Sequence, residues 1–174
     1  MLTRKTSCPP LLIAVSAFVL CSSLALPAAA APRGGNNDQH FMTEAIQGDL
    51  AEVKMGKLAQ EKGQADSVKQ FGKMLEEDHS EHLQKAQQIA EKNGLKAPSE
   101  PNAMQQRAYQ KLSALPAGKF DAAFARDMVR DHEKDVSKFR KEANSRSDLA
   151  DFAKQTVPVL EKHLQAAEAL TSKR

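Results

Sequence analysis

Residues 66–93 read DSVKQFGKMLEEDHSEHLQKAQQIAEKN. Val68, Phe71, Leu75, Ala86 and Ile89 recur at helical spacing, so they lie on one face of a helix. Asn93-Gly94 supplies a stop at its C-terminal end. Two histidines interrupt that apolar face. His82 is seven residues from both Leu75 and Ile89, and His79 is seven from both Gly72 and Ala86. An imidazole on the core side of a helix is costly unless it is paired. This helix therefore needs neighbours that bring polar groups to the same height.

The flanking sequence supplies three more helices of similar length. From Asp38, a plausible N-cap, to about Lys62, the apolar residues Phe41, Ala45, Ile46, Val53 and Ala59 keep helical spacing, with Met42 beside them, and Gly63 ends the run. A third long helix is predicted from about Lys119 to Asn144 on Phe120, Phe124, Met128, Val136 and Phe139. A fourth is predicted from an Asp148 cap to about Thr171 on Leu149, Phe152, Ala153, Leu160, Leu164 and Ala167. Pro158 inside it removes the hydrogen bond to the Lys154 carbonyl and should bend the helix. Between the second and third long helices, Gly94, Pro98, Pro101, Pro116 and Gly118 punctuate a linker with a short helix around Met104 to Leu115. No segment reads as a strand.

Each long helix spans about 36–42 Å, and none can bury its stripe alone. The expected fold is all-α: a ferritin-like four-helix bundle whose long crossover, between the second and third long helices, contains the short helix. The short links make antiparallel hairpins. The long link can run the length of the bundle, leaving the second and third long helices parallel, as neighbours or across a diagonal. Simple up-down-up-down is the alternative.

Polar residues recur within the other stripes. Asp49 and Glu52 flank Val53 on the first helix, His132 and Asp135 lie between Met128 and Phe139 on the third, and His163 falls near the edge of the fourth stripe. All sit near the middle of their helices, and mid-helix positions meet at mid-bundle whichever way each helix runs. Phe71, Leu75, Asp78, His79 and His82 also match the spacing of Phe124, Met128, Asp131, His132 and Asp135. Seven such groups at one level can satisfy one another as a hydrogen-bonded polar layer. They can also ligate a transition metal such as zinc, copper or iron through neutral imidazoles and carboxylates. The expected point of convergence is His79, His82 and His132, completed by Asp135 or Glu52, with Asp49 and His163 at the same height. Glu76 and His79 form one Glu-x-x-His pair, but the fourth helix has no second one, which disfavours a di-iron oxidase or peroxidase. His40 points away from the arc.

The N-terminus has the three parts of a secretory signal: Arg4 and Lys5, an apolar stretch from Leu11 to Leu26, and Ala28-x-Ala30 before the cleavage point. The expected organisation is a signal over 1–30, a flexible lead-in over 31–37 and the helical domain over 38–174. Both cysteines, Cys8 and Cys21, lie in the signal, so the mature chain has neither disulfide nor thiolate ligand. Of 25 lysines and arginines, 23 remain against 22 acidic residues, a net charge near +1. With no basic stripe interleaved with aromatics, nucleic acid is not an expected partner. No further apolar run could form a transmembrane helix in the mature chain, which is expected in the periplasm or cell envelope. An envelope protein or a second copy of the chain is its candidate partner.

Several of these pieces occur in order in a known family. Asp38-x2-Phe41-x3-Ala45, Glu52-Val53, Gly56, Leu58-Ala59, Phe71-Gly72, Asp78-His79, Phe120-Asp121, Met128, His132, Phe152-Ala153, Pro158-x-Leu160 and His163-Leu164 resemble the exported bacterial proteins of domain-of-unknown-function family 4142, often labelled outer-membrane proteins. The resemblance covers about 38–170. It implies a ferritin-like helical bundle in the cell envelope and implies no reaction. The chain lacks the alternating strands of a membrane barrel, so the label is taken as a location. A metal-free structural or interaction module remains the alternative to a metal-binding bundle.

Overall fold

The computed structural model describes residues 35–172, so the expected signal lies outside the described residues. The described chain is all-helical: α1 (Asn36–Lys62), α2 (Asp66–Lys92), α3 (Ala103–Ser113), α4 (Ala117–Ala143) and α5 (Ala150–Ser172). The four long helices and the short one fall close to their expected positions. Two caps differ. α1 starts at Asn36, with Gly35 before it, and Asp38 sits in the first turn, where its charge faces the positive end of the helix dipole. Ahead of α5, Ser147 closes a turn, accepting the Leu149 amide at its Oγ at 3.1 Å and the Ala150 amide at its carbonyl at 3.2 Å, and the helix begins at Ala150, so Asp148 is not its N-cap. A serine hydroxyl two residues back suits this turn geometry. Pro158 is accommodated inside a continuous α5.

α1 and α2 form one antiparallel hairpin and α4 and α5 the other. α1 packs so closely on α2 that a Cβ on Gly56 would lie 2.5 Å from the Gly72 carbonyl oxygen, and one on Gly72 would lie 2.7 Å from the Ala59 Cβ. In docking, α2 borders α5 and α1 borders α4. One apolar cluster joins the start of α1 and α5 to the end of α2 and α4 (Met42, Ile46, Ala86, Phe139, Phe152). The other joins the end of α1 and α5 to the start of α2 and α4 (Leu58, Leu75, Phe124, Met128, Ala167). So α2 and α4 run in the same direction across a diagonal, with Phe71 and Phe124 edge to face at 6.0 Å.

Parallel α2 and α4 oblige the intervening chain to travel the length of the molecule. Side chains tie it down at both ends. Gln39 donates to the Lys96 carbonyl and accepts from the Lys96 amide at 2.9 and 2.8 Å. Lys62 donates to the carbonyls of Ser113 and Leu115, satisfying the C-terminal end of α3. Asn102 and Gln105 close a capping box at its start. Between the two apolar clusters lies the layer of buried polar side chains: Asp49, Glu52, His79, His132, Thr156 and His163.

Candidate metal centre

α5 sets the register of the layer. Its buried residues include 153, 156, 160, 163 and 167, a three-and-four series with His163 in the middle of the face and not at its edge. Leu164, expected in the stripe, is only partly buried. His163 is fully enclosed, and His132 is 1% exposed and His79 5%. Their rings lie around a common centre: centroids are 5.1 Å apart for His79 and His163, 5.4 Å for His132 and His163, and 5.9 Å for His79 and His132.

Each of the three uses one ring nitrogen to hold itself in place. His79 Nδ1 donates to Asp49 Oδ1 at 2.9 Å. His132 Nδ1 donates to the Met128 carbonyl, one turn back on its own helix, at 3.0 Å. His163 Nε2 donates to Asp78 Oδ2 at 2.8 Å. These bonds place the proton on the outer nitrogen and leave the lone pair on the inner one. The inner atoms, His79 Nε2, His132 Nε2 and His163 Nδ1, are buried and have no partner. One ring nitrogen from each of the three residues lies within 4.8 Å of the others, the only such histidine, cysteine or carboxylate group among the described residues.

Burial, with the neighbouring His79 and His163, lowers His132 to about 3. Burial and His79 lower His163 to about 4, against the pull of Asp78. Both are neutral near pH 7, the state a metal ligand needs. Burial works to raise the Asp49 carboxyl, but the bonds and charges of His79 and His82 overcome it and hold the group below its ordinary value. The same balance, with His163 and Lys162 opposing burial, holds Asp78 low. Glu52 goes the other way: burial and the nearby Asp131, Asp135 and Asp49 push it well above the usual carboxylate range.

The donor set fits a transition metal. Imidazole nitrogens about 2.0 Å from an ion place ring centroids about 5.2 Å apart in tetrahedral and about 5.5 Å apart in trigonal geometry; the two separations that involve His163, 5.1 and 5.4 Å, are close to these, and that of His79 and His132, 5.9 Å, is wider. The outer carboxylate and carbonyl partners are those that fix ligating histidines elsewhere. Three imidazole nitrogens, with two carboxylates one bond further out, suit zinc, copper or iron.

The triple that converges therefore contains His163 where the sequence suggested His82. His82 sits one turn further along α2. Its Nδ1 lies 2.9 and 2.8 Å from the two oxygens of Asp49, its Nε2 lies 2.9 Å from Thr156 Oγ1, and its ring stacks on Phe152 at 4.8 Å. With both nitrogens engaged it has no lone pair to offer. Asp49 is committed to orienting His79 and His82. Asp135 is drawn toward Lys138, 3.2 Å away, and is not part of the converging set. Glu52 is in the layer but outside that set. Glu76 accepts from Gln60 at 2.7 Å and lies 3.7 Å from Lys57, so it does not complete a Glu-x-x-His site with His79. His40 is exposed beside Glu44. Sequence reasoning missed Asp78, which sits in the charged run Glu76-Glu77-Asp78 and resembles a solvated face. Its signal was adjacency to His79 and the need of a buried His163 for an outer acceptor. A cleft of about 240 Å³ between α2 and α5 reaches Asp78, His79, His82 and His163.

Fold and site define a class: all-helical proteins of two docked hairpins with three inward histidines at mid-height. The chain belongs to the family described as "Domain of unknown function (DUF4142)", whose model matches residues 23–170. Among solved structures, the crystal structure of a DUF305 fragment from Deinococcus radiodurans is similar with a TM-score of 0.72 and 16% identity, covering 82% of this chain and 100% of that one. At that identity the likeness concerns the fold. No curated protein matches the chain. No helix among the described residues is long and apolar enough to cross a membrane.

Proposed function

We propose that this protein is an exported, ferritin-like helical bundle of the bacterial periplasm or envelope that binds a transition-metal ion through His79, His132 and His163. One observation carries the metal: three buried ring nitrogens lack partners while the opposite nitrogen of each ring is held by a carboxylate or carbonyl. A buried polar atom without a partner costs about 1–3 kcal/mol, and a single ion at their centre would satisfy all three. The ferritin-like description is supported by the single full-length crossover and the parallel diagonal pair α2 and α4. Export is supported by Arg4, Lys5, the apolar stretch 11–26 and Ala28-x-Ala30. It predicts a mature chain beginning at Ala31, which intact mass of the secreted protein would test.

The metal is tested on protein purified without chelator, assayed for bound ions and then melted with and without zinc, copper and iron. Ligand at about 100 times Kd stabilises the native state by about 2.7 kcal/mol. The wild type should show a metal-dependent rise in melting temperature, and His132→Leu should show none. If no ion shifts the wild type, the three histidines belong to a metal-free polar layer and the protein is a structural or interaction module.

A further inference from the structure

Every long helix contributes an inward polar residue to the mid-height layer, and of the two from α1, Asp49 and Glu52, only Asp49 has a role so far. α1 meets α2 antiparallel through Asp49 with His79 and His82 at one level and Gly56 with Gly72 at another. Glu52 lies between those levels. On α4, His132 stands opposite His79, and on α5, His163 bonds Asp78 beside it. Glu52, His79, His132 and His163 thus form one tier, a residue from each long helix. Glu52 is 4% exposed, and its Oε2 is buried with no hydrogen-bond partner.

The other carboxylates around the tier are committed. Asp49 and Asp78 orient histidines. Asp135 pairs with Lys138 and Asp131 faces Lys134. Glu52 has none of these partners among the described residues, and glutamate's three rotatable bonds give its carboxyl reach along the tier. We propose that Glu52 is the fourth ligand of the ion held by His79, His132 and His163, making a three-histidine, one-carboxylate centre that selects a divalent cation over a monovalent one. This rests on the three-histidine reading above. In the present conformation the carboxyl lies outside the set of atoms within 4.8 Å, so ligation requires its side chain to rotate. The selectivity follows from ligand chemistry: three neutral imidazoles accept soft Cu⁺ as readily as Zn²⁺ or Co²⁺, whereas an anionic oxygen adds affinity chiefly for the harder, doubly charged ion.

The test compares wild type and Glu52→Gln, whose shape is conserved, in binding Co²⁺ and, under anaerobic conditions, Cu⁺. Glu52→Gln should weaken Co²⁺ at least about tenfold and change its visible d–d spectrum, while Cu⁺ affinity stays within about threefold. A wild type that binds Co²⁺ and a Glu52→Gln variant with the same affinity and spectrum would overturn the role of Glu52 and leave the three-histidine site standing. Failure of the wild type to bind either ion would overturn both. Should Glu52→Gln not fold by circular dichroism, infrared difference spectra of wild type carrying ¹³C-labelled glutamate decide: addition of Co²⁺ must shift a glutamate carboxyl band to a metal-bound carboxylate position, and its absence refutes the proposal.

Discussion

His82 and His163 exchange the roles that sequence spacing suggested, and substitutions separate those roles. His163→Leu should abolish metal-dependent stabilisation, because it removes one of three converging nitrogens. His82→Leu should retain it, because His79 keeps its bond to Asp49. Its cost falls on the fold itself: one oxygen of Asp49 loses its partner, and the metal-free protein should lose about 1–3 kcal/mol in urea denaturation. A His82→Leu variant that no longer responds to any metal would put His82 in the coordination shell. The acid response follows from the same residues. His132 and His163 sit near 3 and 4 in the folded state against an ordinary value of 6.5. Below pH 6.5 the unfolded chain takes up protons that the native layer refuses, so stability falls as pH drops, and continues to fall until about pH 4 for His163 and about pH 3 for His132. Each histidine contributes a slope of up to about 1.4 kcal/mol per pH unit, and the raised Glu52 and Asp135 carboxyls, which take up protons first in the native state, oppose it. Denaturation of metal-free wild type and His132→Leu at pH 7, 6 and 5 isolates one histidine: the variant should lose less stability on acidification than the wild type. The same pH dependence in both proteins would contradict the burial of a neutral His132.

The helices were legible because each carries its own apolar period and its own stop. Boundaries slipped where a turn precedes the helix, as the one Ser147 closes does ahead of α5. The tier was legible as well, since a histidine in an apolar stripe announces itself in one helix alone. Its membership was not fully legible. Which of His79, His82 and His163 converge depends on the axial offset between α2 and α5, set by packing between helices that share no sequence link. That offset places His163 level with Asp78 and His82 level with Thr156. The offset between α1 and α2 is fixed by backbone approach at Gly56 and Gly72. Gly72→Ala should force these helices apart and destabilise by about 1–3 kcal/mol, read from a denaturation midpoint. It should also weaken metal binding, because Asp49 and Glu52 on α1 would retreat from the centre. Unchanged stability would mean that the close approach is not maintained in solution.

At the scale of the molecule, the described residues form two hairpins joined by a strap that runs the length of the bundle. His79, with its support Asp49, belongs to the first hairpin, and His132 and His163 belong to the second. Neither hairpin alone holds three inward nitrogens. Local contacts can form each hairpin before the long 93–116 connection is closed, because closing that loop costs entropy that only docking repays. The centre therefore comes into being with the last event of folding. An ion bound there acts on the native state more than on the barrier that leads to it. Added metal should slow unfolding in proportion to its equilibrium stabilisation and leave the refolding rate nearly unchanged, a signature readable in the two arms of a stopped-flow chevron. The ion would then serve as a clasp fastened after assembly: it would lengthen the life of the folded chain while doing nothing to hasten its making.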